Sequence, residues 1–274
     1  MMNLNITILT FFMLFSCQEQ PKATFGDCTF YDLKRPSAVW EMPETLNEIS
    51  GIEILKNQKV ICHNDEDGNL IVYDLNNKII EKTIPFAKEG DYEDVAIKDS
   101  TAFVLRSDGT IFEVQHYLNA PKTLEHKTFL TEKDNAEGLF YEPEKNRLLV
   151  ACKENSEEKT RKNKRFVYEF LLDENALNPN PILTILQNDI NSKSKFSPSG
   201  IAIHPISKNI YILSSVGKML AEYSSEGKLQ KIYSLNYVQF MQPEGISFDV
   251  NGDLYISNEA KKNRANILKF NYIQ

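Results

Sequence analysis

Five acidic side chains, Glu48, Asp91, Glu93, Glu137 and Glu244, fall in short segments of one pattern. The segments read "NEISGIEI" from Asn47, "DYEDVAI" from Asp91, "NAEGLFY" from Asn135 and "QPEGISF" from Gln242, with "SPSGIAI" from Ser197 as a hydroxyl version. One column holds Ser50, Glu93, Glu137, Ser199 and Glu244. The column two places earlier holds Glu48, Asp91, Asn135, Ser197 and Gln242. Every member of both columns is an oxygen donor. Carboxylates brought together cannot all stay ionised unless some take up protons or a cation sits among them. An all-oxygen set favours Ca2+, which takes about six to eight oxygens at adaptable geometry, with Mg2+ the weaker fit. Two other readings compete: each acid ties backbone N–H groups and binds nothing, or the ring receives a cationic organic ligand.

The elements that would position these residues are legible in the spacing. Successive members of the first column lie 43, 44, 62 and 45 residues apart. A period near 44 marks a propeller array. Within each period the motif is followed by further short apolar runs, such as "KVICHN", "TAFVLRS", "RLLVACK", "NIYILSS" and "DLYISN", separated by turn residues. Four short strands per period make one blade. The last period has room for three strands, and "SAVWEMP", from Ser37 to Pro43, stands ready to supply the fourth. The fold class is therefore all-β, a five-bladed propeller whose closing blade combines one N-terminal strand with three C-terminal ones. Such closure leaves no open sheet edge. The one long spacing reads as an insertion, carried by two polar stretches, Lys153 to Arg165 and Asn188 to Phe196. A run rich in both charges reads as a solvated hairpin; the alternative, since both stretches join strands at the rim, is a partial lid.

First strands of the blades line the channel, so both acidic columns converge on one rim, where the second strands also end. Their ends supply Asp65, Arg106, Lys153, Asn258 and Glu259, which with Ser199 would make a mouth for a small polar or anionic ligand docked on a metal. His63, in "CHNDEDG", is placed to act as a general base or ligand, or is a solvated surface histidine. His204, before Pro205, reads as a turn residue. No Cys/His spacing resembles a zinc site, and no nucleophile elbow or phosphate loop occurs.

The chain has 274 residues, 42% of them hydrophobic, and a net charge of −7. That suffices for a full core and argues against a nucleic-acid partner, which needs a basic face. Residues 1–16 carry no charged side chain and contain an apolar run of signal-peptide length. The run ends in "LFSC", which resembles a bacterial lipobox and would make Cys17 a lipidated N-terminus. The alternative is an ordinary cleaved signal peptide with an incidental cysteine. The domain reading is 1–16 signal peptide, 17–36 tether and 37–274 propeller, with the chain exported to the cell envelope, anchored to the membrane at Cys17, and monomeric. Cys62 and Cys152 sit in apolar runs and read as buried small hydrophobes.

The motifs "EISGI", "GDYEDVAI", "NAEGL", "FSPSGIAIHP", "QPEGISF" and "LYISNE" resemble those of the SdiA-regulated, YjiK-like proteins, in family order from Leu46 to Phe270. The resemblance implies a five-bladed propeller distantly related to NHL-repeat proteins, with a bound calcium ion. By it, Glu48, Glu93, Glu137 and Glu244 carry the strongest expectation as calcium ligands. The functional expectation is a calcium-binding envelope lipoprotein that recognises a small polar or extracellular ligand. Its alternatives are a metal-dependent hydrolase or lactonase, with His63 or an acid activating water, and a non-catalytic scaffold with structural calcium.

Overall fold

The structure, a computed structural model, describes residues 24–26, 28–154, 163–190 and 194–273. The expected signal peptide and Cys17 lie outside the described residues, as do most of the first polar insertion and part of the second. Five sheets follow one another along the described chain. The first blade is Ile49–Leu55, Lys59–Asn64, Asn69–Asp74 and Ile79–Pro85. The second is Tyr92–Lys98, Thr101–Arg106, Ile111–Gln115 and Lys122–His126. The third has Ala136–Glu142, Arg147–Cys152 and Lys164–Leu171. Its outer edge is split between Ala176–Leu177 and Leu183–Leu186, both paired with Lys164–Leu171. The fourth is Gly200–Ile203, Ile210–Ser214, Met219–Tyr223 and Leu229–Ser234.

The fifth blade closes as the strand count requires. Pro243–Phe248, Leu254–Asn258 and Asn266–Phe270 are completed by Ala38–Glu41, which pairs antiparallel with Asn266–Phe270. Trp40 locks this strand to the first blade: its indole N–H donates to Leu75 O at 2.8 Å. The stretch 17–36, expected as a tether, is in its described part structured. Thr24–Phe25 adds a parallel strand to the outer edge of blade four, and Tyr31 is buried with its hydroxyl donating to Gly252 O at 2.6 Å.

The core explains why these strands read as near-continuous apolar runs. Hydrophobic residues form five clusters, and each belongs to a seam between two neighbouring blades. In strand Lys59–Asn64, for instance, Val60 and Cys62 face blade five, while Ile61 faces blade two. A sheet buried on both faces has no solvent side to carry polar alternation. Cys62 and Cys152 are free and buried, as their apolar context predicts. Among the described residues no helix is long and apolar enough to cross a membrane.

Candidate functional site

The inner strands begin with a defect that aims the acids. In blade three, Ala136 pairs with Cys152 and Gly138 with Ala151, so Glu137 is an extra residue with no partner across the ladder. Blade two does the same: Tyr92 pairs with Arg106 and Asp94 with Leu105, leaving Glu93 unpaired. Related shifts occur between Ile49 and Ile52 and between Pro243 and Ile246. A bulge releases one residue from the pleat and redirects its side chain. Gly245 lets the neighbouring blade approach this defect. A Cβ there would lie 2.7 Å from Ser50 O and 2.9 Å from Ile52 N.

The redirected acids line a cavity of about 270 Å³ at the channel mouth. Its walls bring together Glu48, Asp65, Asp91, Glu93, Glu137, Glu244 and Glu259, seven carboxylates, with Asn135 and Gln242. Among the described residues Lys153 is the one cation lining it, and its Nζ lies 2.6 Å from Glu137 Oε1. Asn135 Nδ2 donates to the same oxygen at 2.7 Å. Ser215 Oγ donates to Glu244 Oε1 at 3.2 Å, and Gln242 Nε2 to Glu259.

One ammonium does not balance seven acids, and the proton affinities record it. Burial, then the neighbouring Glu137 and Asp91 charges, pushes Glu93 far above the usual carboxylate range. Glu137 is also raised by burial, with Lys153 pulling against the rise. Burial and the charge of Glu137 lift Glu244 to about 7, and burial with Glu244 lifts Glu259 to about 7. Asp65 rises to about 6, through burial and Glu48. Lys153 is itself raised: burial works against its charge, and Glu137, Glu244 and Glu93 outweigh that.

The residues expected in the mouth divide into two sets. Glu48, Asp65, Asp91, Glu93, Glu137, Lys153, Glu244 and Glu259 meet there. Ser199, Arg106 and Asn258 do not line it. Ser199 is buried as a tie between blades: its Oγ donates to Pro243 O at 3.0 Å and accepts from Ser215 N at 3.2 Å. Ser50 lines the mouth but also makes a tie, donating to Glu93 O at 2.6 Å. Arg106 turns to Asp108 at 2.8 Å and lies over the Phe112 ring. Asn258 is buried against Asn266. The two serines of the column thus tie neighbouring blades by donating to backbone carbonyls.

His63 is neither at the mouth nor on the surface. It lies opposite the Ser50–Gly51 bulge, fully buried, with Nδ1 2.9 Å from Asn64 O. A carbonyl only accepts, so Nδ1 carries the proton and Nε2 is a bare acceptor with no donor among the described residues. Burial pushes this imidazole down to about 4. His204 does cap its turn, with Nδ1 accepting from Ile206 N and Ser207 N, and it is buried among Tyr31, Tyr211, Phe248 and Tyr272.

Sequence reasoning overlooked Asp94. It stands where the four other blades have glycine, Gly51, Gly138, Gly200 and Gly245, and its buried carboxylate accepts from Val95 N at 2.8 Å and Leu139 N at 2.7 Å. The signal was present: "YEDV" breaks the glycine column with a residue whose side chain can reach the next blade.

Among the described residues no group of three or more His, Cys, Asp or Glu forms a ready-made metal cage. The donor chemistry nevertheless fits a hard cation. Among the described residues, two buried acceptors of the lining, Asp65 Oδ1 and Gln242 Oε1, have no hydrogen-bond donor. Buried oxygens of this kind call for a donor or a cation.

No curated protein matches the chain in sequence. Solved structures match in fold. Glutaminyl cyclase from Myxococcus xanthus superposes with a TM-score of 0.60 at 10% identity, over 88% of this chain and 97% of that one. A PQQ-bound aldose sugar dehydrogenase from Streptomyces coelicolor gives 0.52 at 12%, over 87% and 100%. A chain of a nidogen/laminin complex gives 0.52 at 14%, over 77% and 72%. At such identities the likeness shows a shared propeller architecture and nothing of chemistry. The SdiA-regulated family profile matches residues 40–262, from the closing strand through all five inner strands and the mouth, and the chain belongs to the SdiA-regulated family.

Proposed function

We propose that the protein is an exported, lipid-anchored propeller of the cell envelope that holds Ca2+ in its acidic mouth and there recognises a small polar ligand. The observation that carries this reading is that, among the described residues, seven carboxylates converge on one ammonium, and two buried oxygens of the lining, Asp65 Oδ1 and Gln242 Oε1, have no partner. Glu93, Glu137 and Glu244 would hold the ion, with Glu48 and Asp91 closing from the rim. A bound ion would neutralise the ring and offer open coordination positions to an oxygen-bearing ligand. Lys153 supplies a second positive point beside it. The anchor rests on the uncharged leader that ends in "LFSC" at Cys17.

Calorimetric titration with CaCl2 and MgCl2 tests the metal. One Ca2+ per chain is expected, bound more tightly than Mg2+ and weakened by Glu137→Gln. No binding, or unchanged affinity in that variant, would overturn the reading. Calcium-dependent turnover in a lactone and ester panel would replace recognition by hydrolysis. For the anchor, Cys17→Ala should release the protein from the membrane fraction.

A further inference from the structure

The channel has a second end with different chemistry. Where the inner strands finish, a larger cavity of about 620 Å³ opens beneath blades three and four. Ile97, Phe140, Ile203 and Phe248, from the ends of four inner strands, form its apolar wall together with Leu149. The volume is that of a pocket for a small organic molecule. One carboxylate stands against this wall. Glu53, on the inner strand of blade one, is half-buried and lines the cavity. Its hydrogen bond comes from Ser247 Oγ at 3.2 Å.

Glu53 has no ion-pair partner among the described residues, because the cavity's own cations are committed elsewhere. Arg147 binds Glu142 at 2.6 Å and also Glu169; Lys145 binds Glu142 at 3.0 Å; Lys208 binds Glu144 at 2.7 Å. Glu53, Glu226 and Asp249 are left as surplus acids on the lining. An anionic guest would meet net negative charge. A neutral one would offer no counter-charge and leave Glu53 in its neutral, protonated form, since an unpaired carboxylate is costly in apolar surroundings; only a cation draws out the charged form. Phe140, Tyr141 and Phe248 add ring faces that attract a cation.

We propose that this second cavity binds a small organic ammonium ion, its nitrogen pairing with Glu53 and its aromatic or aliphatic body lying against Phe140, Ile203 and Phe248. The site is independent of the acidic mouth, which favours a hard cation and lacks apolar walls. Without a guest, burial lifts the Glu53 carboxyl to about 8, with the Ser247 hydrogen bond pulling the other way. Most of it is then protonated at pH 7, and pairing with an ammonium must release a proton.

The test titrates 2-phenylethylamine into the full chain at pH 7, beside 2-phenylethanol and 3-phenylpropionate. The amine should bind once per chain. The alcohol should bind about tenfold more weakly, a difference of about 1.4 kcal/mol, and the acid not at all. Glu53→Gln should abolish the preference for the amine without lowering the thermal midpoint. Equal binding of the alcohol, no binding of the amine, or a preference that survives Glu53→Gln would overturn the proposal. Repeating the wild-type titration in two buffers of different ionisation enthalpy supplies a readout that needs no variant. Release of roughly one proton per amine is expected, and no release would overturn the proposal as well.

Discussion

Lys153 Nζ and Glu137 Oε1 lie 2.6 Å apart, so blade three supplies to its own bulged acid the one cation that, among the described residues, lines the mouth. The pair is tight because Glu137 is almost wholly buried and the neighbouring Glu93 and Glu244 charges also hold the ammonium in place. Lys153 thus acts as an internal counter-ion, and a metal entering the ring must share the carboxylates with it.

Replacing Lys153 with Met separates these two roles. In metal-free buffer at pH 8 the variant should lose about 3 kcal/mol, the lower end of the range for breaking a buried pair, since Lys153 keeps some solvent contact. Its calcium affinity should rise, because a competing charge has gone. Urea denaturation with and without Ca2+ reads both effects. A variant as stable as wild type at pH 8, or one with weaker calcium binding, would contradict this role.

The ring should make the metal-free protein less stable as pH rises. Glu244 and Glu259, near 7, and Asp65, near 6, stand above their values in an unfolded chain, about 4. Groups raised in the folded state contribute fully below the unfolded value and lose that contribution as pH climbs through the folded one. Between pH 5 and 7 Glu244 alone accounts for up to about 1.4 kcal/mol per pH unit, and the more exposed Glu259 and Asp65 for less. His63 works in the opposite direction. Its folded value is depressed to about 4, so its contribution is lost as pH falls below about 6.5. One imidazole does not offset three carboxyls. Urea midpoints should fall from pH 5.5 to pH 8 in EDTA, less steeply in Glu244→Gln and in millimolar Ca2+.

Asp94 should matter for stability while leaving metal binding intact. Asp94→Ala removes the acceptor for Leu139 N–H, a buried donor on the next blade. An orphaned buried donor costs about 1–3 kcal/mol. The denaturation midpoint should drop by that amount at constant slope, with calcium affinity near wild type. A neutral effect on stability would show that another acceptor replaces the carboxylate.

Truncation separates closure from the stretch that precedes it. A chain starting at Ser37 keeps Ala38–Glu41 but loses buried Tyr31 and Leu33. It should fold with a loss of about 3–5 kcal/mol, as for deleting a large aromatic from a core. A chain starting at Pro43 also leaves Asn266–Phe270 as an open edge. An unpaired edge strand templates aggregation. Size-exclusion chromatography should find the first variant monomeric and the second aggregated.

The 44-residue period, the four apolar runs in each repeat and the strand at Ser37 to Pro43 determined a five-bladed closed ring before any coordinates. This worked because each blade is built locally, and a sheet buried on both faces leaves a strong apolar signature. The residue types of the ring were equally plain in the columns of Glu48 and Glu93. Only the tertiary structure decided which of them share the mouth. Bulges at Glu93 and Glu137 override the two-residue alternation of a strand. Ser199 turns to Pro243 O on a neighbouring blade. Arg106 pairs with Tyr92 as Cys152 pairs with Ala136, so Lys153 stands one register position further on, level with Ser107; that offset sends Arg106 to Asp108 and Lys153 to Glu137. His63 looked solvent-facing beside "NDEDG" but packs inside, opposite a bulge. These outcomes depend on partners brought by neighbouring blades or by local turns, which strand periodicity does not encode.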